Sequence, residues 1–379
     1  MKILAIDDQQ LILLSVEKRL SEEGFLVKTA ISGQLGIDLF DNYHPDLVIV
    51  DINMPGTSGL EVVKHIRIHK RSNTPILVMS GNTNEKTIVD GFEMGIDDYM
   101  KKPVSLDEVV ARVTRILGHA SELVCDKKEQ HTQMLQKYCV GVVIPCYNEE
   151  DRLSSSEFQD FANKNLGYHL CFVNDGSTDG TLEVLEELRK GNEHTISIYN
   201  CKKNGGKAEA VRQGILHLSK DRQFDYIGFL DADLSTDFRD FDELVQTIEQ
   251  SDFKIVSGSR ISRMGANITK ESARKFISLT INLIIQKILG MPFKDTQCGA
   301  KIMDREIASN MFNKKFITRW LFDVEIFMRM RKYYGKENVQ QMICEQPLKR
   351  WIHADGSKLS MKDSVKIVGQ LAQIAVHYH

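Results

Sequence analysis

Acidic residues stand where short apolar runs end, and their spacing indicates metal and phosphate chemistry. Asp7 and Asp8 follow the run KILAI, and Asp51 ends the run DLVIVD. Ser80 and Lys102 follow two later runs, PILVM and DDYMK. If these runs are parallel strands, their carboxyl ends meet at one edge of a sheet. Carboxylates that close together call for a divalent cation, and magnesium suits such oxygen ligands.

One interpretation of Asp51 is a reactive carboxylate. With magnesium bound, Asp51 could attack a phosphoryl group and form an acyl phosphate, while Lys102 neutralises the remaining charge. The alternative for Asp7, Asp8 or Asp51 taken singly is that each only caps a helix or a turn. The three carboxylates together with Ser80 and Lys102 favour phosphoryl transfer over capping.

A second acidic pair lies in the sequence DAD, where Asp231 and Asp233 follow the apolar run IGFL. Two carboxylates two residues apart at the end of an extended strand point the same way. They could hold one divalent cation against a diphosphate, and the metal would stabilise a departing nucleoside diphosphate. Such a pair alone is weak evidence, because acidic pairs are common in loops.

Other polar stretches of the second half suit a nucleotide. Asp175 ends FVND and precedes GSTDGT, so its carboxylate could hold a ribose or a base edge. The stretch NGGK places the amides of Gly205 and Gly206 and the side chain of Lys207 at a helix start, where a phosphate can bind. The pattern GxxxxGK[ST] is not met, which excludes a P-loop, and GxGxxG is absent too.

The elements that must position these groups alternate between apolar strands and helical patterns. The helical pattern LILLSVEKRLSEEG, for example, lies between KILAID and DLVIVD, and the second half repeats this alternation. Alternation of this kind predicts α/β folds whose sheets are mainly parallel and covered on both faces. A length of 379 residues predicts two domains.

The composition is typical of a globular protein in a reducing cytoplasm. The net charge is −3, which argues against a nucleic-acid-binding domain. The 7 cysteines form no CxxC pair, so neither a disulfide framework nor a zinc site is expected. The first residues do not read as a signal peptide, and no apolar run is long enough for a transmembrane helix.

Residues 1–118 resemble the response-regulator receiver domain. The motifs that carry the resemblance are DD after the first strand, DINMPGTSG, MSG and KKP. The resemblance implies a flavodoxin-like fold with a five-stranded parallel sheet. It also implies a sensor histidine kinase or a phosphotransfer protein as partner, and pairing of two receivers into a homodimer.

By the same resemblance, Asp51 is the phospho-acceptor and shares a Mg²⁺ ion with Asp8. The remaining roles belong to residues named by position in the motifs: Asp7 beside the metal, the backbone carbonyl of Asn53 as a further ligand, Ser80 as switch hydroxyl, Lys102 as the lysine that contacts the phosphoryl group, and Tyr99 as switch aromatic. The alternative for Tyr99 is a half-buried strand tyrosine.

Residues 139–379 resemble a family 2 glycosyltransferase with the GT-A fold, a mixed and mainly parallel sheet. The stretches VVIPCYNEE, VNDGSTDGT, NGGK, DADLSTD and GSR carry this resemblance. The later stretches DTQCGAKIMDR, RWLFDVEI and WIHADGSKLS are similar to the dolichyl-phosphate glucosyltransferase branch, and the similarity covers about residues 139–360.

The second resemblance implies inversion at the anomeric carbon. It assigns Asp231 and Asp233 to Mg²⁺ or Mn²⁺ and the diphosphate. The residues expected around the nucleotide sugar are Pro145, Tyr147, Asn148, Glu149, Asp175, Gly206 and Lys207.

The base that deprotonates the acceptor is either Asp295 or Asp323, unless an anionic phosphate attacks without one. Each of the two aspartates could instead orient an arginine. The candidates for binding an acceptor phosphate are Arg260, Arg274, Arg319 and Lys358, for each of which a solvated surface role is the alternative.

Residues 119–138 are predicted to form a linker, which we favour as helical over flexible. A helix over 276–289 would be about 21 Å long, too short to span the ~30 Å hydrocarbon core. It could lie at the membrane interface or be buried between sheet and lid. The last helix, in MKDSVKIVGQLAQIAVHYH, could cover the core, the receiver or a lipid surface.

The sequence therefore predicts a cytoplasmic enzyme regulated by phosphorylation of Asp51, in peripheral contact with the inner face of the membrane. It would move a hexose from UDP-glucose to polyprenyl phosphate. A polysaccharide acceptor is the second choice, and a non-catalytic module that binds a sugar nucleotide is the alternative. A DNA-binding output has little support, since the transferase motifs fill the second half.

Overall fold

The computed structural model describes residues 1–81, 85–118, 134–153, 156–260, 267–268, 272–351 and 361–378. The chain forms two compact units. The first comprises Met1–Cys139 with Gln159–Tyr168, and the second comprises Val140–Phe158 with His169–His379.

The first unit alternates strands and helices from its first residues. Its elements are β1 (Lys2–Ile6), α1 (Gln10–Glu22), β2 (Leu26–Ala30), α2 (Gly33–Tyr43), β3 (Leu47–Val50), α3 (Gly59–Lys64), a π-helical turn (His65–His69), β4 (Ile76–Ser80), α4 (Glu85–Glu93), β5 (Asp98–Lys101), β6 (Val104–Ser105) and α5 (Leu106–Leu117).

The sheet of this unit has the strand order β2-β1-β3-β4-β5, and every neighbouring pair is parallel. This confirms the predicted five-stranded flavodoxin-like sheet. The central strand β3 is the apolar run LVIV and is buried along its whole length, as expected for a strand with helices on both faces. All the strand ends that carry polar side chains therefore lie on one edge of the sheet.

Two serine caps begin helices beside that edge. Ser58 accepts a hydrogen bond from the Glu61 amide, and the Glu61 carboxylate accepts one from the Ser58 amide, which completes a capping box at α3. The Ser105 side chain caps α5 by accepting a hydrogen bond from the amide of Glu108. These caps end the loops after β3 and β5 at defined residues.

The elements from residue 134 onward are β7 (Met134–Cys146), α6 (Glu157–Lys164), β8 (Asn165–Asn174), α7 (Thr181–Arg189), β9 (Ile196–Asn200), α8 (Lys207–Leu218), β10 (Tyr226–Leu230), α9 (Phe238–Glu249), β11 (Ile255–Ser259), β12 (Asn267–Ile268), α10 (Ser272–Leu289), β13 (Ala300–Asp304), α11 (Arg305–Phe312), α12 (Phe322–Tyr334), β14 (Ile343–Pro347), β15 (Arg350–Trp351) and α13 (Met361–Tyr378). A short 3₁₀ turn, Val339–Met342, precedes β14.

The large sheet has the order β14-β11-β13-β10-β7-β8-β9. The pairs β10–β7, β11–β14 and β8–β9 are parallel, whereas β13 runs antiparallel to both β10 and β11. This confirms the expected mixed sheet of a GT-A fold. Because β7 and β10 are parallel neighbours, the loops after them open on the same edge.

Three boundaries differ from the sequence-based predictions. Strand β7 begins at Met134, so the helical linker is wrong for residues 134–138, while 119–133 lie outside the described residues. Strand β10 ends at Leu230, and Asp231–Asp233 form a turn rather than continuing the strand. Helix α10 begins at Ser272 rather than at residue 276.

The last helix covers the core of the second unit. Helix α13 packs against α10 and α12 and buries Ile367, Leu371 and Ile374. Of the three roles that the sequence left open for this helix, this apolar face covers the core. In the part of the chain that the structure describes, no helix is both long and apolar enough to cross a bilayer.

Candidate functional site

In the first unit, a buried lysine joins two of the predicted carboxylates. The Nζ atom of Lys102 donates to Asp7 Oδ2 at 2.6 Å and to Asp51 Oδ2 at 2.9 Å. Both aspartates and the lysine are buried. Asp7 follows β1, Asp51 follows β3 and Lys102 follows β5, so the parallel sheet brings residues distant in sequence to one point.

The loop after β3 fixes the orientation of Asp51. The backbone amide of Asn53 donates to Asp51 Oδ1 at 2.9 Å, and the Asn53 side chain donates to Ser80 Oγ at 3.2 Å. A side chain at Gly59 would collide with the Asp51 carbonyl, since an added Cβ would lie 2.0 Å from that oxygen. The predicted residues Asp51, Asn53 and Ser80 therefore form one connected group.

The electrostatics of this group fit a cation site. Burial raises the pKa of Asp7 to about 6, and the Asp51 charge adds to this while Lys102 opposes it. Burial also raises the pKa of Asp8, with a further contribution from Asp51. Burial alone would lower the pKa of Lys102, but Asp7 and Asp51 raise it above its ordinary value. One lysine thus shares its charge among several carboxylates.

Tyr99 lies in β5 and is half-buried against the apolar core of this unit. Burial raises the pKa of its hydroxyl, with a contribution from the Asp51 charge. The side chain is therefore within electrostatic range of the phospho-acceptor candidate. Its position fits both descriptions made from the sequence, the half-buried strand tyrosine and the switch aromatic.

In the second unit, the acidic turn after β10 carries a direct ion pair. Lys207 Nζ lies 2.5 Å from Asp231 Oδ1. The amide of Ser235 donates to Asp233 Oδ1 at 2.9 Å, and Leu234 between them takes a left-handed backbone conformation with φ 48°. That conformation is unusual for a branched residue and is typical of functional turns. A turn, rather than a strand end, holds the two carboxylates.

Gly299 lies against the Asp231 carboxylate. An added Cβ at this glycine would lie 1.9 Å from Asp231 Oδ2, and the Asp231 amide donates to the Gly299 carbonyl at 3.0 Å. Sequence reasoning missed this residue, although it lies within the stretch DTQCGAK. Only the pairing of β10 with β13 shows why this position excludes a side chain.

Cross-linking hydrogen bonds join the loops after β7 and β8. The amide of Asn148 donates to Ser177 Oγ at 3.1 Å, and Asn148 Oδ1 accepts from the amide of Thr178 at 2.9 Å. The amide of Glu149 donates to Thr181 Oγ1 at 2.9 Å. The motifs YNEE and GSTDGT are thus one structure at the edge of the sheet.

The same edge gathers negative charge. Burial raises the pKa of Glu149, Arg152 lowers it, and the charges of Asp233 and Asp231 raise it further. Tyr147, beside Glu149, is exposed, and Pro145 at the end of β7 is half-buried. Of the predicted nucleotide-binding residues at 145–149, Glu149 therefore lies within electrostatic range of the acidic turn.

The Asp175 carboxylate, expected to hold a ribose or a base edge, instead accepts hydrogen bonds from two glycine amides. Its Oδ1 accepts from the Gly205 amide and its Oδ2 from the Gly206 amide, each at 2.8 Å. The expectation that these two amides bind a phosphate is therefore wrong for this structure, because the buried Asp175 carboxylate already occupies them. The pairing holds the glycine loop beneath the start of α8, where Lys207 is the first residue.

Asp295 orients an arginine, one of the two alternatives left open by its sequence. Its carboxylate accepts from the Nε and backbone amide of Arg260 at 2.7 and 2.9 Å, and from Nη2 at 2.8 Å. Glu345, on β14, accepts a hydrogen bond from the Asp295 amide at 2.7 Å and so fixes the backbone of the loop at Asp295. A role for Asp295 as a base stays a prediction.

Asp323 pairs with a lysine that the sequence analysis did not single out. Lys301 Nζ donates to Asp323 Oδ1 at 2.6 Å, and both side chains are buried. Burial raises the pKa of Asp323, while Lys301 and Lys207 lower it. A lysine between apolar residues of a strand, as in AKIMD, is the only signal in the sequence that could have indicated it.

The loop with Arg319 is fixed by Glu325. This buried carboxylate accepts the amides of Ile317 and Thr318 at 3.0 and 2.9 Å and the Thr318 hydroxyl at 3.0 Å. The aliphatic part of Arg319 lies beside Gly206, close to Lys207. The other two acceptor candidates, the side chains of Arg274 and Lys358, lie outside what the structure describes.

The donor sets fit a hard cation that keeps water ligands. No group of three or more His, Cys, Asp or Glu side chains is arranged around one cation position in the described ranges. Magnesium is usually held in proteins by one or two carboxylates, waters and phosphate oxygens. Asp51 with Asp8 in one unit, and Asp231 with Asp233 in the other, supply such carboxylates.

Two family models match the chain. Residues 3–114 match the response regulator receiver domain, and residues 141–312 match glycosyl transferase family 2. The two matches fall in the stretches that resembled these families by motif.

Curated relatives match each half. A dolichyl-phosphate beta-glucosyltransferase of Dictyostelium discoideum is 30% identical over 254 residues, 63% of this chain and 74% of the relative. Dolichyl-phosphate beta-glucosyltransferase ALG5A of Trichomonas vaginalis is 31% identical over 63% of this chain and 73% of the relative. The cell cycle transcriptional regulator CtrA of Caulobacter vibrioides is 38% identical over 128 residues, 33% of this chain and 55% of the relative.

These similarities extend over most of the length of the first two relatives, and they agree with the geometry of the acidic turn. The receiver match agrees with the buried lysine between Asp7 and Asp51. The chain is a glycosyltransferase that belongs to family 2, is similar to the dolichyl-phosphate beta-glucosyltransferases, and carries a response regulator receiver domain.

Proposed function

We propose that the transferase unit moves glucose from UDP-glucose to a polyprenyl phosphate, with inversion at the anomeric carbon. The observation that carries this proposal is the 2.5 Å ion pair between Lys207 and Asp231, beside Asp233 on the acidic turn. Such a pair suits a diphosphate leaving group, which needs a cationic side chain and carboxylates for a metal at the same point. The similarity to dolichyl-phosphate beta-glucosyltransferases supports glucose as the transferred sugar and a polyprenyl phosphate as the acceptor.

Magnesium or manganese bound by Asp231 and Asp233 would supply Lewis-acid stabilisation of the departing diphosphate. Lys207 contributes a second positive charge, and its pKa supports this, since desolvation would lower it but Asp231 and Asp323 raise it. Glu149 and Asn148 lie in the joined loops that would hold the nucleoside.

The negative charge of the proposed acceptor removes the need for a catalytic base. A polyprenyl phosphate is already anionic, so its oxygen can attack the anomeric carbon as the bond to the diphosphate oxygen breaks, with no proton to remove. Asp295 and Asp323 both have cationic partners, Arg260 and Lys301, and an ionised carboxylate in such a pair suits orientation better than proton abstraction. Arg319 is the proposed contact for the acceptor phosphate.

The receiver is proposed to control this activity. A histidine kinase or a phosphotransfer protein donates the phosphoryl group: an Asp51 oxygen forms the bond to phosphorus as the phosphohistidine P–N bond breaks. Mg²⁺ held by Asp8 and Asp51 would offset the phosphoryl charge, and Lys102 and Ser80 would contact the phosphoryl oxygens. Tyr99 would report the change to the surface of the receiver.

Contact with a membrane surface would bring the enzyme to a lipid acceptor. Helix α10 lies in the second unit and exposes Leu283 by 64% on its described part. A helix that exposes apolar side chains suits the interface of a bilayer. Flotation of the chain with anionic vesicles tests this point, and a Leu283→Glu variant should float less.

The deciding experiment is a transfer assay with matched substrates. The purified chain is given UDP-glucose, UDP-galactose or GDP-mannose with Mg²⁺ or Mn²⁺, and either polyprenyl phosphate or an oligosaccharide. We expect glucosyl lipid only from UDP-glucose and polyprenyl phosphate. Transfer to the saccharide alone would replace the acceptor, and tight UDP binding without any turnover would favour the non-catalytic module.

A further inference from the structure

We propose that Lys301 is a positioning residue of the transferase, which fixes both the loop against Asp231 and the carboxylate of Asp323. The proposal rests on the proposed function for its kinetic consequence and on the geometry alone for the loop. Lys301 lies on β13, and its side chain is fully buried. A buried ammonium is stable only when its donors are all satisfied.

All three donors of the Lys301 ammonium have partners. Nζ donates to the carbonyl of Thr296 at 3.0 Å, to the carbonyl of Cys298 at 2.7 Å and to Asp323 Oδ1 at 2.6 Å. The ammonium also lies 5.3 Å from the ring centroid of Phe229 on the neighbouring strand. This coordination fixes the backbone on both sides of residue 297.

The first consequence concerns Asp231. Gly299 follows directly after Cys298, and the position of an added Cβ at Gly299 would be 1.9 Å from Asp231 Oδ2. The Asp231 amide also donates to the Gly299 carbonyl at 3.0 Å. A shift of residues 296–299 by a fraction of an ångström would therefore change the space available to the Asp231 carboxylate. Lys301 acts on that carboxylate through the loop without touching it.

The second consequence concerns Lys207. Asp323 interacts electrostatically with both Lys301 and Lys207, and Lys207 pairs with Asp231. Charges therefore alternate in the order Lys301, Asp323, Lys207, Asp231. Without Lys301, the buried Asp323 carboxylate would be drawn towards Lys207, and this competition weakens the hold of Lys207 on the acidic turn.

A single and a double variant, with one matched control, test this first in the full chain. Lys301→Met removes the ammonium at nearly constant volume, and Lys301→Met with Asp323→Leu replaces the whole pair by apolar side chains, which buried ion pairs commonly tolerate. Lys254→Met is the control, since Lys254 also pairs with an aspartate on this sheet but is partly exposed. Cooperative urea unfolding establishes that each variant is folded.

The first measurement is hydrogen exchange, which needs no substrate. We expect the amides of residues 296–299 to exchange at least about tenfold faster in both Lys301 variants, while those of β10 are unchanged. If residues 296–299 exchange at the same rate as in the Lys254→Met control, the proposal that Lys301 fixes this loop is wrong. This result stands whatever the donor or acceptor proves to be, so it separates the failure of this inference from the failure of the proposed function.

The second measurement is steady-state transfer. We expect kcat to fall by about 10–100-fold in Lys301→Met, the range for residues that orient a site, with a smaller change in the KM for the nucleotide sugar. The double variant should remain as slow, although its fold is restored. Lys301→Arg, which keeps the charge, should recover part of the rate. A folded double variant with wild-type kcat would contradict the proposal.

Discussion

The ammonium of Lys102 donates a 2.9 Å hydrogen bond to Asp51 across 51 positions of sequence. Both side chains are buried, so neither charge is well hydrated. A phosphoryl group on Asp51 would meet a preformed positive charge at this point, which is the condition for stabilising the acyl phosphate.

The first prediction is that Asp51 is the only residue labelled by acetyl phosphate and magnesium. Asp51→Asn should abolish covalent labelling, measured by intact mass, because the amide cannot act as the nucleophile. Asp38→Asn, which changes an exposed aspartate on α2, is the control and should be labelled like the wild type. Wild-type labelling of Asp51→Asn would reject the assignment.

The second prediction concerns pH, since burial raises the pKa of Asp7 from 3.8 to about 6. The folded state then binds a proton more tightly than the unfolded state, so the contribution of Asp7 to stability is present below pH ~4. It is lost as the pH rises from about 4 to 6, at a cost of about 3 kcal/mol. Above pH 6 the ionised Asp7 favours a cation.

Calorimetric titration with magnesium, in the absence of phosphate donors, measures this dependence. The affinity should rise as the pH increases through about 6 and then level off. In Asp7→Asn the rise should be smaller, because the variant has no carboxylate to ionise at that position and only Asp8, whose pKa burial also raises, still titrates beside Asp51. An unchanged rise in that variant would assign the titration to another group.

The third prediction is that the acidic turn is required for turnover of the nucleotide sugar. Asp231→Ala with Asp233→Ala should lower kcat/KM by at least about 100-fold, because the diphosphate loses its metal-binding carboxylates. Asp242→Asn, on α9, is the matched control and should keep full activity. Equal rates for the double variant and the wild type would remove the turn from the mechanism.

The fourth prediction uses two glycines of opposite environment. Gly299→Ala should lower turnover by about 10–100-fold, because the new methyl group collides with the Asp231 carboxylate. Gly369→Ala, on α13, meets no atom within 4 Å and should stabilise the helix by about 1 kcal/mol with no loss of rate. Rates and urea unfolding of both variants test the pair, and a fully active Gly299→Ala would show that the contact does not matter.

The fifth prediction concerns the loop with Arg319. Glu325→Gln places an amide group where a carboxylate accepts the amides of Ile317 and Thr318, and this should cost about 1–3 kcal/mol of stability. The KM for the acceptor should rise more than the KM for the donor. Glu337→Gln, at an exposed position, is the control. If the KM for the acceptor stays at its wild-type value, Arg319 does not depend on this loop.

The amino-acid sequence was enough to predict most of the strands and helices, and the edge of each sheet at which the polar residues gather. Apolar runs ending in Asp7, Asp51 and Ser80 predict parallel strands, and parallel strands place their ends together whatever else the chain does. The motifs determined the two families for the same local reason, since each is a short stretch with a set geometry. The apolar runs and the motifs could be recognised because each depends only on residues that are close together in the sequence.

The pairing of the charged side chains could be seen only in the folded structure. The Asp175 carboxylate accepts hydrogen bonds from the two glycine amides that were expected to bind phosphate. Arg260 donates to Asp295, and Lys301 donates to Asp323. These partners come from distant elements, and their choice depends on which strands are neighbours and on how deeply each group is buried. Burial makes an unpaired charge costly, so packing rather than local pattern selects the partners.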